Sequence, residues 1–165
     1  MKYTGFFLCG VLLICSIMPL SADTVMLYLD RSKGQGDEKN SIGYIEDGIM
    51  EAFFDAGHII FNSSYHSLGE SEEPEEDPFG DYYVYRVAKS GGASYVLSVR
   101  LSFDEDIENQ WPISAAYDFV RLETEQSLSS GVVLMERTGG WKEKEPFELV
   151  QSLGKRLGME ALKGL

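Results

Sequence analysis

The chain has 165 residues, with 27 acidic side chains against 14 basic ones and a formal net charge of −13. Such a surface repels nucleic acid and anionic headgroups, which excludes a charge-driven nucleic-acid or lipid-surface binder and leaves basic partners as the charge-matched class. The only cysteines, Cys9 and Cys15, fall near the start, so disulfide and thiol chemistry have no part in the remainder.

Residues 1–22 read as a secretory signal peptide. Lys2 supplies a positive start, Phe6 to Leu20 is an apolar stretch, and Leu20-Ser21-Ala22 places small residues before a cut between Ala22 and Asp23. Leu20 is large for its position, so retention as an N-terminal anchor is the alternative. Lipidation is another, although bulky Ile14 precedes Cys15 and too short an apolar run precedes Cys9. Residues 23–165 are then one exported αβ domain, long enough to bury an adequate core.

In chain order, Val25 to Leu29 reads as a strand. Arg31 to Lys39 is a loop; its Gly34-Gln35-Gly36 lacks the third glycine of a dinucleotide fingerprint, and no Gly-Lys-Ser/Thr follows. From Ser41, capped by Asn40 or Ser41, the spacing of Ile42, Ile45, Ile49, Phe53 and Ala56 predicts a helix ending at Gly57. Ile59-Ile60-Phe61 is a second strand, so the domain opens as a βαβ unit with two parallel strands.

Glu70 to Pro78 holds six acidic residues and two prolines in nine positions, and reads as a solvated flexible loop. A calcium clamp or a dock for a basic partner are its alternatives, without EF-hand spacing to support the former. Asp81 to Ala93 reads as a helix closed by Gly91-Gly92. Ser94 to Phe103 then alternates strictly, with Tyr95, Leu97, Val99, Leu101 and Phe103 on one face and Ser94, Val96, Ser98, Arg100 and Ser102 on the other. Such a half-polar face argues against cover on both sides.

Ala115 to Glu123 and Val132 to Arg137 read as further strands, with Gln126 to Gly131 as the turn between them. These last three strands are joined by connections too short for helical crossovers, which predicts an antiparallel meander. From Pro146 a last helix lines up Val150, Leu153, Leu157 and Ala161, flanked by Phe147 and Leu162. Lys155, Arg156 and Lys163 suit its dipole. Gly154 and Gly158 allow a close approach, expected against the sheet, with a dimerising face as the alternative. The fold class is therefore mixed α/β: a βαβ start, a mixed sheet ending in an antiparallel meander, and helices mainly on one face.

No constellation for catalysis or metal binding stands out. His58 and His66 have no cysteine to complete a zinc site, and no Gly-x-Ser-x-Gly elbow is present. Carboxylates are abundant, but nothing singles out a pair. Tyr82, Tyr83, Tyr85 and Tyr95 fit either a ligand groove or ordinary packing, and packing is favoured. No catalytic, cofactor or metal residue is therefore named.

Three places stand out together: Ala56-Gly57 followed by Ile59-Ile60-Phe61, then Gly92-Ala93-Ser94-Tyr95-Val96-Leu97, and then Phe119-Val120-Arg121-Leu122-Glu123 leading to Ser130-Gly131-Val132-Val133. They resemble the αβ domain of bacterial envelope-assembly proteins: the curli-secretion lipoprotein family, the flagellar outer-membrane assembly family, and the outer-membrane lipoprotein activators of penicillin-binding proteins. The last of the three places differs from the family's Asp-x-x-Thr-Gly turn and reads as a longer connection. The resemblance implies a periplasmic, or alternatively outer-membrane-associated, protein that assembles or regulates envelope machinery without being an enzyme. Its partner would be an envelope protein complex, its membrane association peripheral at most, and its cofactor none.

Ser94, Val96, Ser98, Arg100 and Ser102 form the candidate docking face. The rival readings are a hydrolase acting on wall or envelope material through paired carboxylates, which requires a concave, aromatic-lined cleft, and a carrier of small ligands or lipids, which requires an apolar cavity.

Overall fold

The computed structural model describes residues 23–30, 38–62, 81–103, 112–135 and 146–165. Expectations for residues 1–22, for the glycine loop at 34–36, for His66 and for the acidic stretch at 70–78 lie outside the described residues. The element order is β1 (Thr24–Asp30), α1 (Glu38–Asp55), β2 (Ile59–Asn62), α2 (Asp81–Ser90), β3 (Tyr95–Phe103), β4 (Pro112–Arg121), β5 (Gln126–Leu134) and α3 (Pro146–Leu162). The strands form one mixed sheet in the order β2-β1-β3-β4-β5. β1 pairs in parallel with β2 and β3, and β3, β4 and β5 form the antiparallel meander.

β1 sits between two parallel neighbours with helices on both sides, so its apolar run is continuous rather than alternating. Val25, Leu27 and Leu29 face the larger core, shared with α1 and α3. Met26 faces a smaller one, shared with Val84 and Ala88 of α2. The split follows from crossover handedness. β2 lies on one side of β1 and β3 on the other, so two crossovers of the same hand place α1 and α2 on opposite faces.

α1 starts at Glu38, upstream of the expected cap, so Ser41 is a buried residue within the helix rather than its boundary. Ala56 lies beyond the helix and is exposed, and Ala52 supplies the buried small residue instead. Two helices close with the same device. Gly57 (φ 84°) and Gly92 (φ 77°) adopt left-handed backbone. His58 N–H donates to the Phe53 carbonyl (3.0 Å) and Ala93 N–H to the Ala88 carbonyl (3.0 Å), with Gly57 and Gly92 N–H bonding to Phe54 and Lys89.

The β4–β5 connection is tighter than expected. Arg121 pairs directly with Gln126, so the turn is Leu122 to Glu125, and residues expected to form the turn lie within β5. Serine and glycine mark turns by composition, but here ladder pairing with β4 holds them extended. Glu125 carries the positive φ (53°) that closes the hairpin.

The glycines of α3 meet α1 rather than the sheet. A Cβ on Gly154 would stand 2.3 Å from the Ile45 carbonyl oxygen, one on Gly158 2.7 Å from Ala52 Cβ, and one on Gly48 of α1 2.1 Å from the Gln151 carbonyl oxygen. The two helix backbones therefore touch, and Ile45, Ile49, Phe53, Val150, Leu153 and Leu157 fill the space beneath them. Lys155 is drawn across the outside of this seam. Its ammonium donates to Glu51 (2.7 Å) and Asp55 (3.4 Å) rather than serving its own helix end.

Replacing Gly154 with alanine is expected to destabilise the domain by about 3 kcal/mol, the scale of an overpacked core. Gly43→Ala, at a helical position with open space around its missing Cβ, should gain up to about 1 kcal/mol. Urea unfolding of both variants checks the pair. The hydrogen bond to Glu51, then that to Asp55, raises the pKa of Lys155 above the ordinary 10.5 despite partial desolvation. A raised folded pKa stabilises below the unfolded value and is lost as pH climbs through the folded one. The stability gap between parent and Lys155→Met should hold up to about pH 10.5 and close above it, as read by thermal melts across the alkaline range.

Candidate docking surface

The sheet face away from α1 and α3 divides in two. α2 covers the part over Met26 and Val96, with Leu122 beside them. Val96 has no exposed surface. It belongs to this small core and cannot meet a partner, which corrects the sequence expectation: alternation identifies the face on which a residue lies but not what covers it. Ser94 precedes β3 at the end of the sheet. Its N–H donates to the Thr24 carbonyl (2.7 Å) and its carbonyl accepts from Leu122 (3.0 Å), which sets it apart from the rest of the face.

Ser98, Arg100 and Ser102 continue past α2. The registers place Asp118 of β4 and Ser130 of β5 beside Ser98, Ala116 and Val132 beside Arg100, and Ser114 and Leu134 beside Ser102. The result is a grid of three rows, built almost entirely from short side chains, with Arg100 as its long one. Parallel pairing with β1 adds Tyr28 alongside Ser98 and Asp30 alongside Arg100. Val132 and Leu134 are exposed by 62% and 65%, while their neighbour Val133 is buried against the main core. Ser127 Oγ donates to Asp118 Oδ1, which fixes that carboxylate at the border of the grid.

The sequence reading found the β3 column of this grid and missed the β4 and β5 columns. The continuous run Gly131-Val132-Val133-Leu134 does not distinguish inward from outward valines. The signal that does is the hairpin register, which required the turn to be placed at Leu122–Glu125.

At the opposite end of the sheet, where β1 and β3 begin, an open groove of about 530 Å³ is lined by Asp23, Lys89, Ser94, Tyr95, Arg121 and Glu123 among others. Asp23, the residue after the expected cleavage point, contributes its carbonyl to the sheet by accepting from Ile59 N–H (3.0 Å); Ala22 lies outside the described residues. The groove holds two carboxylates and one aromatic ring. That ring, Tyr95, is stacked on Phe119 (5.5 Å) and topped by the Arg121 guanidinium (5.9 Å). Lys89 is engaged by Glu125 (2.9 Å). Open α/β sheets place ligands at the carboxyl ends of their parallel strands, and this groove lies at the amino ends.

Other singled-out residues also have structural settings. His58 packs edge-on against Phe53, with Nδ1 3.8 Å from Asp23 Oδ2. Tyr83 lies under Arg86, and Tyr85 packs on the small core. Among the described residues, no group of three or more His, Cys, Asp or Glu side chains is placed to hold a metal ion. No helix among them is long and apolar enough to cross a membrane.

No protein-family profile matches the sequence, and no characterised protein matches it by sequence. Solved structures do. The chain is similar to PelC of Paraburkholderia phytofirmans, a dodecamer, with a TM-score of 0.50 at 10% identity, over 87% of this chain and 90% of that one. The two share a fold. Weaker likenesses are to lipoprotein GNA1162 of Neisseria meningitidis (TM-score 0.46, 14% identity, 85% of this chain and 99% of that one) and to TolB of Acinetobacter baumannii (TM-score 0.41, 11% identity, 87% of this chain but 29% of that one).

Val96→Ser should destabilise the domain by about 2 kcal/mol, because a buried methyl contact becomes a buried hydroxyl. Ser102→Lys, on the open grid, should stay within about 0.5 kcal/mol of the parent. Urea midpoints of the two variants separate the covered part of the face from the open part.

Proposed function

We propose that this protein is a non-enzymatic accessory or scaffolding component of the bacterial envelope, exported to the periplasm, which captures an envelope protein on the open grid around Arg100. The observation that carries the reading is the grid itself. It is an open sheet surface of mostly short side chains, with Arg100 on β3 and two exposed apolar residues on β5. An open sheet face suits a protein partner better than a small molecule, which needs an enclosing concave pocket. Arg100, beside Asp30 in the β1–β3 register, gives this face a charged group that a complementary partner surface can share.

The envelope setting rests on the signal-like N-terminal segment and on the sequence resemblance to envelope-assembly domains. The likeness to PelC is one of fold alone. No cofactor enters this role, and the partner is a protein rather than nucleic acid or bilayer.

Crosslinking and recovery from envelope fractions test the reading. The parent chain should bring down an envelope protein. The double variant Ser98→Glu with Arg100→Glu should recover at least about tenfold less, the scale of losing a central charged anchor, with an unchanged melting curve. Unchanged recovery would remove the grid from the interface. Turnover of wall material by the parent, lost on changing Asp23 or Glu123, would favour the paired-carboxylate alternative.

A further inference from the structure

We propose that the outer edge of β5 is a self-association site, at which a second copy adds its own β5 in antiparallel fashion and joins two five-stranded sheets into one. This goes beyond the capture of an envelope partner, and it uses the strand's edge rather than the sheet's face.

The backbone supplies the direction. Met135 N–H donates to the Ile113 carbonyl (2.9 Å). Alternate residues of an antiparallel strand bond to the same neighbour, so the N–H and C=O groups of Leu134, Val132 and Ser130 turn away from β4. β5 is last in the strand order, and among the described residues no strand lies beyond it. Three outward donor–acceptor pairs at alternate positions are a template for one more strand.

Charge supplies the occupant. Edge strands that resist pairing carry lysine, other charges or proline. From Gln126 to Leu134 there is no charged residue and no proline. In a chain with 27 acidic side chains, this strip lets two copies meet without setting carboxylate against carboxylate. The other sheet edge, β2, has only four residues.

The flank is self-complementary. A groove of about 510 Å³ runs along the β5 edge, lined by Tyr117, Val132 and Leu134 and by Arg156 and Glu160 of α3. Arg156 and Glu160 lie one helical turn apart. A two-fold axis at Val132 runs the two α3 helices antiparallel and brings Arg156 and Glu160 of both copies to the seam, where an Arg156–Glu160 contact between copies is shared with the Lys163 ammonium that already donates to Glu160 in the single chain (2.6 Å). The same axis pairs Val132 with Val132 and Leu134 with Ser130 in both directions, as an isologous interface demands. It also covers the valine that is 62% exposed in the single chain.

Sedimentation equilibrium on the full chain tests the proposal. The parent should dimerise at micromolar concentration. Val132→Pro removes an outward N–H and no β4 bond, so it should sediment as a monomer with its melting temperature held. Val132→Lys should do the same and serves if the proline variant misfolds. Arg156→Glu should weaken the dimer at least about tenfold, and adding Glu160→Arg should restore it. A parent that stays monomeric to about 100 μM, a dimer that survives both Val132 variants, or a charge swap that restores nothing overturns the proposal. A monomeric parent that binds an extended peptide from another protein, with binding lost in Val132→Pro, also overturns it and assigns the edge to that partner.

Discussion

The contact between the backbones of α1 and α3 sets the rest of the architecture. Gly48, Gly154 and Gly158 each occupy a place where a methyl group would collide with the opposite helix. With the backbones this close, two helices form a narrow, continuous layer over one face of the sheet. Phe53, Phe119, Leu97 and Leu157 are sealed beneath it without measurable exposure. Fully burying a side chain of this size is worth about 1.5–3 kcal/mol, so most of the domain's apolar stabilisation lies on that side.

The other face is what remains. Chain order and crossover handedness send only α2 there, a helix of ten residues, and it covers the small core of Met26, Val84, Ala88 and Val96. Among the described residues, β4 and β5 have no helix after them on that side, because a hairpin joins them and α3 returns to the face of α1. The open grid around Arg100 thus follows from topology, and its short side chains are compatible with a surface that none of the described helices covers. The β5 edge arises from the same meander, since the last strand of an open sheet pairs on one side only.

The elements themselves were legible in the sequence where local chemistry and tertiary context agree. The unbroken Val25 to Leu29 run marked a strand, and the structure shows it covered on both sides. Gly57 and Gly92 marked helix ends through their left-handed backbone, and the β3 alternation marked its two faces. What was not legible depended on partners distant in sequence. Gly154 and Gly158 announced a close approach but not to what, because the answer, Ile45 and Ala52, lies about a hundred positions away. Val96 looked like its serine neighbours until α2 was placed over it. Gln126 to Gly131 looked like a turn because their composition is that of turns, and only pairing with β4 makes them a strand. Two of the three columns of the grid were hidden for the same reason.

The helix seam also fixes when the domain becomes a domain. Its halves come from residues 45–52 and 151–158, so the contact that seals the main core joins nearly opposite ends of the chain. During synthesis, β1, α1 and β2 precede α3 by about a hundred positions, and their apolar face waits for that helix. Non-local closure of this kind is slow and leaves intermediates with unburied surface. The main core therefore stays open until α3 docks, and the βαβ start cannot seal it alone.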